Sequence, residues 1–201
     1  MKKAIIGAGG FGRELYWHIQ HNAKQNIDFF VDEEFFKESN IYNVFPLSQF
    51  DPSVWEVVVA ISNIKTRKDI VNKLPKDIHF FSYIDWTAHI LDKNIIIKEN
   101  SIICNGVILT TNIQLGKNIQ LNLQTTIGHD CIIGNYVTTA PGVRISGNCN
   151  IGNEVYLGTN AVVKEGITIC DNVIIGMNAG VTKDIIIPGT YIGTPTKLIN
   201  R

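Results

Sequence analysis

The sequence predicts an N-terminal α/β half-Rossmann-like domain over residues 1–84 and a left-handed parallel β-helix over residues 85–201. Three observations carry this reading. From about Leu91 onward an aliphatic residue recurs at every sixth position. Near the start, the short apolar run Lys3 to Ile6 leads into Gly7-Ala8-Gly9-Gly10-Phe11-Gly12, which fits GxGxxG. The acid pair Asp32-Glu33 then follows about 20 residues after the last of those glycines.

The elements of the first domain read in order. Lys3 to Ile6 is a strand, and the glycine-rich turn follows it. Arg13 to about Lys24 has helical periodicity, with Leu15 and Ile19 on one face. Ile27 to Val31 is a second strand that delivers Asp32-Glu33 at its end. Glu56 to Ile61 is a third strand, Ile64 to Leu74 a second helix stopped by Pro75, and His79 to Ile84 a fourth strand. A glycine-rich turn at a helix N-terminus offers free backbone amides and a helix dipole to an anion. Taken alone, the motif also fits glycines that only tighten a βα turn. With the acid pair at the distance that reaches a ribose, a nucleotide is the better reading. The domain is too short for two mononucleotide halves, so a single nucleotide diphosphate carrying a sugar fits best. Phe29, Phe30, Phe35 and Phe36 bracket the acid pair, some packing the sheet and one available to cover a base.

In the second domain the sixfold row runs Leu91, Ile97, Ile103, Leu109, Leu115, Leu121, Ile127, Ile133, then Ile145, Ile151, Leu157, Val163, Ile169, Ile175 and Val181, broken only at Thr139. The next residue is often small, as at Gly116, Gly128, Gly134, Gly152, Gly158 and Gly176. The row predicts one short strand and one turn per hexad. Three hexads close a triangular coil, so residues 18 apart stack. The aliphatic points inward, and the small residue after it is expected to let the chain turn the corner. The tail is expected to leave the repeat at Pro188-Gly189, with Lys197 to Arg201 as a terminal cap.

The 18 basic and 18 acidic side chains balance, and no basic block occurs. This argues against a nucleic-acid or membrane-surface partner. The N-terminal apolar run is too short for a signal peptide or a membrane span. Cys104, Cys131, Cys149 and Cys170 are dispersed without a CxxC pair, which predicts a cytoplasmic protein with reduced thiols.

Of five histidines, only His129 lies inside the repeat proper. It sits two residues past inward-facing Ile127, so it projects outward, and Asp130 follows it. An outward histidine beside an acid suits a general base, because the carboxylate holds the tautomer and favours the imidazolium. An exposed turn histidine fits the local residues equally well. A zinc centre needs about three converging ligands. The prism offers one histidine, and Cys131 and Cys149 stack as core residues, so no metal is expected. His18, His21 and His89 read as structural or solvated.

These parts resemble the sugar acyltransferases of the sialic-acid O-acetyltransferase and UDP-bacillosamine N-acetyltransferase group, a hexapeptide-repeat family. The resemblance spans nearly the whole chain. It rests on Gly7-Ala8-Gly9-Gly10-Phe11-Gly12-Arg13-Glu14-Leu15, Val31-Asp32-Glu33, Ala60-Ile61-Ser62-Asn63, Ile127-Gly128-His129-Asp130-Cys131-Ile132-Ile133-Gly134 and Ile192-Gly193-Thr194-Pro195-Thr196-Lys197. It implies a homotrimer with acetyl-CoA lying between neighbouring prisms and a nucleotide-linked amino sugar held by the N-terminal domain. It implies His129 as base, Asp130 as its orienting acid and Asn122 near the acceptor amine. It implies substrate contacts at Gly9, Gly10, Phe11, Gly12, Arg13, Asp32, Glu33, Ser62 and Asn63. It implies CoA contacts at Thr138, Gly147, Thr159, Gly176, Met177 and Lys197, with the Gly147 N–H facing the thioester carbonyl. Phe11 stands where family members often carry His or Gly, and Thr138 where some carry a second histidine. The implied reaction is N-acetylation of a sugar, of the 4-amino-4,6-dideoxy type. O-acetylation of a sugar such as sialic acid, and a non-catalytic trimer, are the alternatives.

Overall fold

A computed structural model describes residues 1–37, 39 and 41–199. The chain divides into two units, Met1–Ser82 and Tyr83–Arg201. Residues 200 and 201, the end of the expected cap, lie outside the described residues.

The first unit is a parallel sheet flanked by two helices. Its strands are β1 (Lys2–Ile6), β2 (Asp28–Val31), β3 (Val44–Pro46) and β4 (Trp55–Val59), and its helices are α1 (Gly10–Ala23) and α2 (Ile64–Lys73). The order across the sheet is β3-β2-β1-β4, all parallel. Central strands covered on both faces must be apolar throughout. Accordingly Ala4, Ile5, Ile6, Phe29, Phe30, Val57, Val58 and Val59 are all buried. Leu15 and Ile19 bury the inner face of α1, as their spacing predicts.

Three features of this unit differ from the sequence reading. Helix α1 starts at Gly10, three residues before Arg13, so Gly12 lies inside its first turn. There a Cβ on Gly12 would overlap the Gly7 carbonyl oxygen, which explains a helical glycine at this place. Strand β3 was not expected, because Val44-Phe45-Pro46 is short and ends in proline. A proline without an N–H is tolerated at the edge position that β3 takes. The run from His79 to Ile84 is not one strand. Phe80 makes an isolated bridge to Val57, while Tyr83–Ile84 pairs with Ile102–Ile103 in the second unit.

The second unit is a parallel β-helix with three sheets of two- to four-residue strands. From Ile96 to Val181 the register advances by 18 residues per coil: Gln114 faces Ile132, Gln120 faces Thr138 and Thr126 faces Arg144. The inward row from Ile103 to Val181 is buried throughout, Thr139 included. Thr139 is no defect, because its Oγ1 lies 2.8 Å from Oγ1 of the equally buried Thr125 and accepts the Asn122 N–H at 3.1 Å. A buried hydroxyl paired on both sides escapes the cost of desolvation.

The glycines after the inward residue serve a different purpose from the one expected. They are not in the left-handed region. A Cβ on Gly128 would come within 2.6 Å of the Gly147 nitrogen, and one on Gly116 within 2.7 Å of the Gly134 backbone, so the next coil passes too close for a side chain. The corner is turned two residues later. Every sixth residue from Asn100 to Asn178 has positive φ, and asparagine fills many of these places. Asparagine is the L-residue that accepts this conformation most readily.

The first coil departs from the sixfold row. Ile90, not Leu91, faces Leu109, while Ile97 faces Leu115. One extra residue between them bulges outward, and Leu91 is 68% exposed. At the other end the 18-residue register is lost before Pro188-Gly189, since Ile185 bridges Ile169 and Gly189 pairs with Val173, but the chain stays on the prism. Gly189–Ile192 adds a parallel strand on Val173–Ile175, and Lys197–Ile199 folds back antiparallel on it.

Candidate active site

In the N-terminal unit, the carboxyl ends of β1, β2 and β4 open into a cavity of about 460 Å³. Its lining includes Gly7, Gly9, Asp32, Phe35, Lys37 and Thr66. This is where a parallel α/β sheet holds ligands, outside the strand ends and beside a helix N-terminus. Gly9 caps α1 without a side chain, so the first-turn amides of the helix face outward unscreened. Arg13 Nη1 donates to the Ala8 carbonyl at 3.0 Å and braces the glycine loop from outside. The Asp32 side chain is 21% exposed, and Lys73 Nζ lies 3.6 Å from its Oδ2.

The two acids of the pair part company. Asp32 lines the cavity, but Glu33 turns to the next segment and accepts the Ser48 N–H at 2.9 Å. Hydrogen bonds from Ser48 hold the Glu33 carboxyl below its usual range. Gly10, Phe11 and Gly12 form the first turn of α1. Asn63 caps α2 by accepting the Thr66 N–H at 2.9 Å, and Ser62 offers its carbonyl to Arg67. None of these five residues is part of the cavity lining. Lys37 and Thr66 are, and sequence spacing gave no sign of either. Phe35, exposed at the rim, is the one of the four aromatics in the cavity lining, since Phe29 and Phe30 are core.

On the β-helix, His129 sits on a corner with half of its side chain exposed. Its Nδ1 lies 2.8 Å from Asp130 Oδ2. Asp130 has φ of 61°, and this left-handed turn brings its carboxylate back beside the preceding ring. Its other oxygen accepts the Asn112 side-chain amide at 2.6 Å. The Asn112 hydrogen bond first, and the His129 bond second, hold the Asp130 carboxyl below its ordinary value. An ionised carboxylate only accepts, so in the neutral imidazole Nδ1 carries the proton and Nε2 the lone pair. Among the described residues Nε2 has no hydrogen-bond partner.

Gly147, one coil along, defines the space around that nitrogen. A Cβ there would lie 2.6 Å from His129 Nε2 and 2.7 Å from Cε1. Only glycine lets the imidazole lie against the backbone of the next coil. Among the described residues the Gly147 N–H donates to no acceptor. A basic nitrogen and a free backbone donor therefore meet on one edge, the pair of groups that acyl transfer requires.

The remaining predicted residues lie on a second edge. Asn122 stands one corner before His129, where its Oδ1 accepts the Leu123 N–H at 2.7 Å. Thr159 and Met177 stack on that same edge, the Thr159 carbonyl accepting the Asn178 N–H at 2.8 Å. Met177 is well exposed, and Gly176 lies against Ile192, whose strand partner is Lys197. Thr138 is buried on the face that leads to this edge. The single chain thus brings Gly147 to His129, and does not bring Asn122, Thr159, Gly176, Met177 or Lys197 there.

Cys131 and Cys149 stack inside the prism, the Cys149 N–H lying 3.4 Å from Cys131 Sγ. The neighbouring Cys149 thiol, together with burial, pushes the Cys131 thiol well up. Among the described residues no group of three or more His, Cys, Asp or Glu is placed to hold a metal ion. None of their helices is long and apolar enough to cross a membrane.

Residues 2–74 match the family described as PglD N-terminal domain. Residues 148–183 match bacterial transferase hexapeptide repeats, and residues 124–157 match the hexapeptide repeat of succinyl-transferase. Among curated proteins no match is found. Among solved structures, WeeI from Acinetobacter baumannii AYE is 31% identical with a TM-score of 0.90, over 99% of this chain and 100% of that one. The acetyltransferase domain of PglB from Neisseria gonorrhoeae FA1090, in complex with acetyl coenzyme A, is 26% identical with a TM-score of 0.89, over 98% of each chain. PerB from Caulobacter crescentus, in complex with CoA and GDP-perosamine, shares the fold at 20% identity and a TM-score of 0.89, over 100% of this chain and 98% of that one. With the PglD-type domain in front, the hexapeptide prism behind and a full-length relative above 30% identity, this chain belongs to the hexapeptide-repeat sugar acetyltransferase family.

Proposed function

We propose that this acetyltransferase moves the acetyl group of acetyl-CoA onto the amino group of a nucleotide-linked sugar, of the 4-amino-4,6-dideoxy type, with His129 as general base. The observation that carries the reading is the His129 Nδ1 to Asp130 Oδ2 contact of 2.8 Å, which leaves a basic Nε2 against the Gly147 backbone. As the sugar amine attacks the thioester carbonyl, Nε2 takes its proton and Asp130 stabilises the imidazolium. The Gly147 N–H, free of other acceptors, suits the developing oxyanion. The tetrahedral intermediate collapses with the C–S bond breaking, and the CoA sulfur takes the proton back from the His129 imidazolium and leaves as the thiol, so no residue of the chain becomes acylated. The cavity at Gly9 and Asp32 suits the nucleotide diphosphate: the glycine loop at the N-terminus of α1 for phosphate and a carboxylate for a ribose or base. That cavity also favours a nucleotide-linked acceptor over a free sugar such as sialic acid.

The assembly in this reading is a homotrimer. His129 and Gly147 share one edge of the prism, while Asn122, Thr159 and Met177 share another. A CoA chain that touches Gly147 on the first edge and Thr159 and Met177 on the second runs between two copies in this reading.

The test is thiol release from acetyl-CoA against a panel of UDP-, dTDP- and GDP-linked amino sugars, repeated with His129→Ala. Loss of the base should lower kcat by about 10²–10⁴-fold, with the trimer and the KM for acetyl-CoA nearly unchanged. Near-normal turnover at saturating substrates would remove His129 from the mechanism. A loss confined to the KM for acetyl-CoA would make it a binding residue.

A further inference from the structure

We propose that Asn112, one coil before the His129–Asp130 pair, is a positioning residue for the reaction, held in place by Asp92 on the bulge of the first coil. The inference rests on the reading of His129 as base. Its material is a continuous run of hydrogen bonds down one edge of the prism. Asp92 Oδ1 accepts the Asn94 N–H at 2.9 Å, which folds the bulge on itself. Asp92 Oδ2 accepts the Thr111 hydroxyl at 2.8 Å and the Asn112 N–H at 3.2 Å. The Asn112 side-chain amide then donates to Asp130 Oδ1 at 2.6 Å, and Asp130 Oδ2 meets His129 Nδ1 at 2.8 Å.

Each link has a physical reason. Asn112 has φ of 50°, the same left-handed turn that Asp130 takes 18 residues later, so the two side chains stack along the edge. A carboxylate gripped only by His129 could rotate about its Cα–Cβ and Cβ–Cγ bonds. Asn112 occupies the other oxygen and fixes the plane of the group. That fixes which imidazole nitrogen is protonated, and hence that Nε2 is the basic one. Asp92 reaches Thr111 and Asn112 because the extra residue between Ile90 and Ile97 bulges the chain outward at that corner. The hydrogen bonds from Asn94, Thr111 and Asn112 also hold the Asp92 carboxyl below its usual range, so it remains the acceptor in this run. Asn112 touches neither the reacting atoms nor any predicted CoA contact, and acts only through Asp130.

Asn112→Gly is the cleanest probe, because glycine accepts the positive φ and keeps the backbone N–H for Asp92. It should lower kcat about three- to tenfold with both KM values unchanged. The ¹⁵N spectrum of neutral His129 should move from the Nδ1–H form toward the Nε2–H form. Asn112→Asp keeps the turn and the shape but faces Asp130 with a second carboxylate, and should cost more than Asn112→Gly. An unchanged kcat in both variants, an unchanged tautomer in Asn112→Gly, or an effect confined to KM would each overturn the proposal. The base reading fails separately, on full turnover by His129→Ala. The tautomer measurement on Asn112→Gly still reports the link to Asp130 in that case.

Discussion

Gly147 is the residue whose absence of a side chain bears most directly on the chemistry. A Cβ at 2.6 Å from His129 Nε2 cannot be accommodated by the backbone, so the imidazole must swing away from it. Gly147→Ala should therefore lower kcat by at least about tenfold while the prism keeps its fold and melting temperature to within a few degrees. Circular dichroism alongside thiol-release kinetics checks both halves. Asp130 gives a second residue-scale prediction, with a sign set by its lowered carboxyl value. A carboxylate depressed in the folded state contributes stability that is fully present above its unfolded value, about pH 4. That contribution is lost as pH falls through the lower folded value. The melting-temperature gap between the protein and Asp130→Asn should be present above about pH 5 and close as pH falls below about 4. A gap that fails to shrink as pH falls below about 4 would mean that Asp130 is not held by Asn112 and His129. In the other unit, Asp32→Ala should weaken nucleotide-sugar binding about ten- to a hundredfold without touching CoA binding, as titration calorimetry with each ligand can show.

At the scale of the element, the corner between Leu121 and Thr126 is stabilised by polar atoms inside an otherwise apolar column. Thr125 and Thr139 share a hydrogen bond, and Thr139 also holds the Asn122 N–H. Thr139→Val alone strands both partners and should cost about 1–3 kcal/mol. Adding Thr125→Val removes one of the stranded groups, so the double variant should lose less than the sum of the singles in a denaturant-melt cycle. Additive losses would mean that the two hydroxyls do not interact. The elements also show what can be read from residues alone. The inward row from Ile97 to Val181 is legible because a solenoid repeats one environment, and its period is printed directly in the sequence. The register of the first coil is not. Ile90 and Leu91 are both aliphatic, as are Ile95, Ile96 and Ile97, so a one-residue bulge leaves the hydrophobic pattern intact. The purpose of the glycines was equally hidden, since a glycine needed for turning and one needed for close approach look alike in a sequence. At the site, His129 and Asp130 stand out as the one histidine within the repeat and the acid after it, Gly147 comes from the family resemblance with the count of eighteen from His129 agreeing, and the same count applied backward from Asp130 finds Asn112. Lys37 and Thr66 follow no such period, because separate segments meet at the cavity only through the sheet order of β2, β1 and β4.

For the whole molecule, the decisive feature is that the predicted site residues occupy two edges of one prism. If neighbouring copies supply complementary edges, two inactive variants should rescue each other. His129→Ala and Asn122→Ala, each impaired alone, should regain activity when co-expressed, with about a quarter of the sites in randomly mixed trimers receiving both intact edges. Sedimentation should show trimers for each variant and for the mixture. No recovery in verified mixed trimers would place the whole site on a single chain.

The 18-residue register that stacks Asn112 on Asp130, and His129 on Gly147, also constrains the history of this chain. A deletion or duplication inside the prism preserves the column only when it removes or adds a full coil, because any other length rotates every later residue onto a different face. Lineages can thus lengthen or shorten the molecule in quanta of 18 residues, or by extruding residues at a corner. The bulge at Leu91 has the geometry of the second route. It lies in the first coil, where a slipped residue has one neighbouring coil to match instead of two. Related genes should accordingly differ in length by whole coils, with their small irregular insertions gathered at the two ends of the prism and at corners that carry no catalytic group.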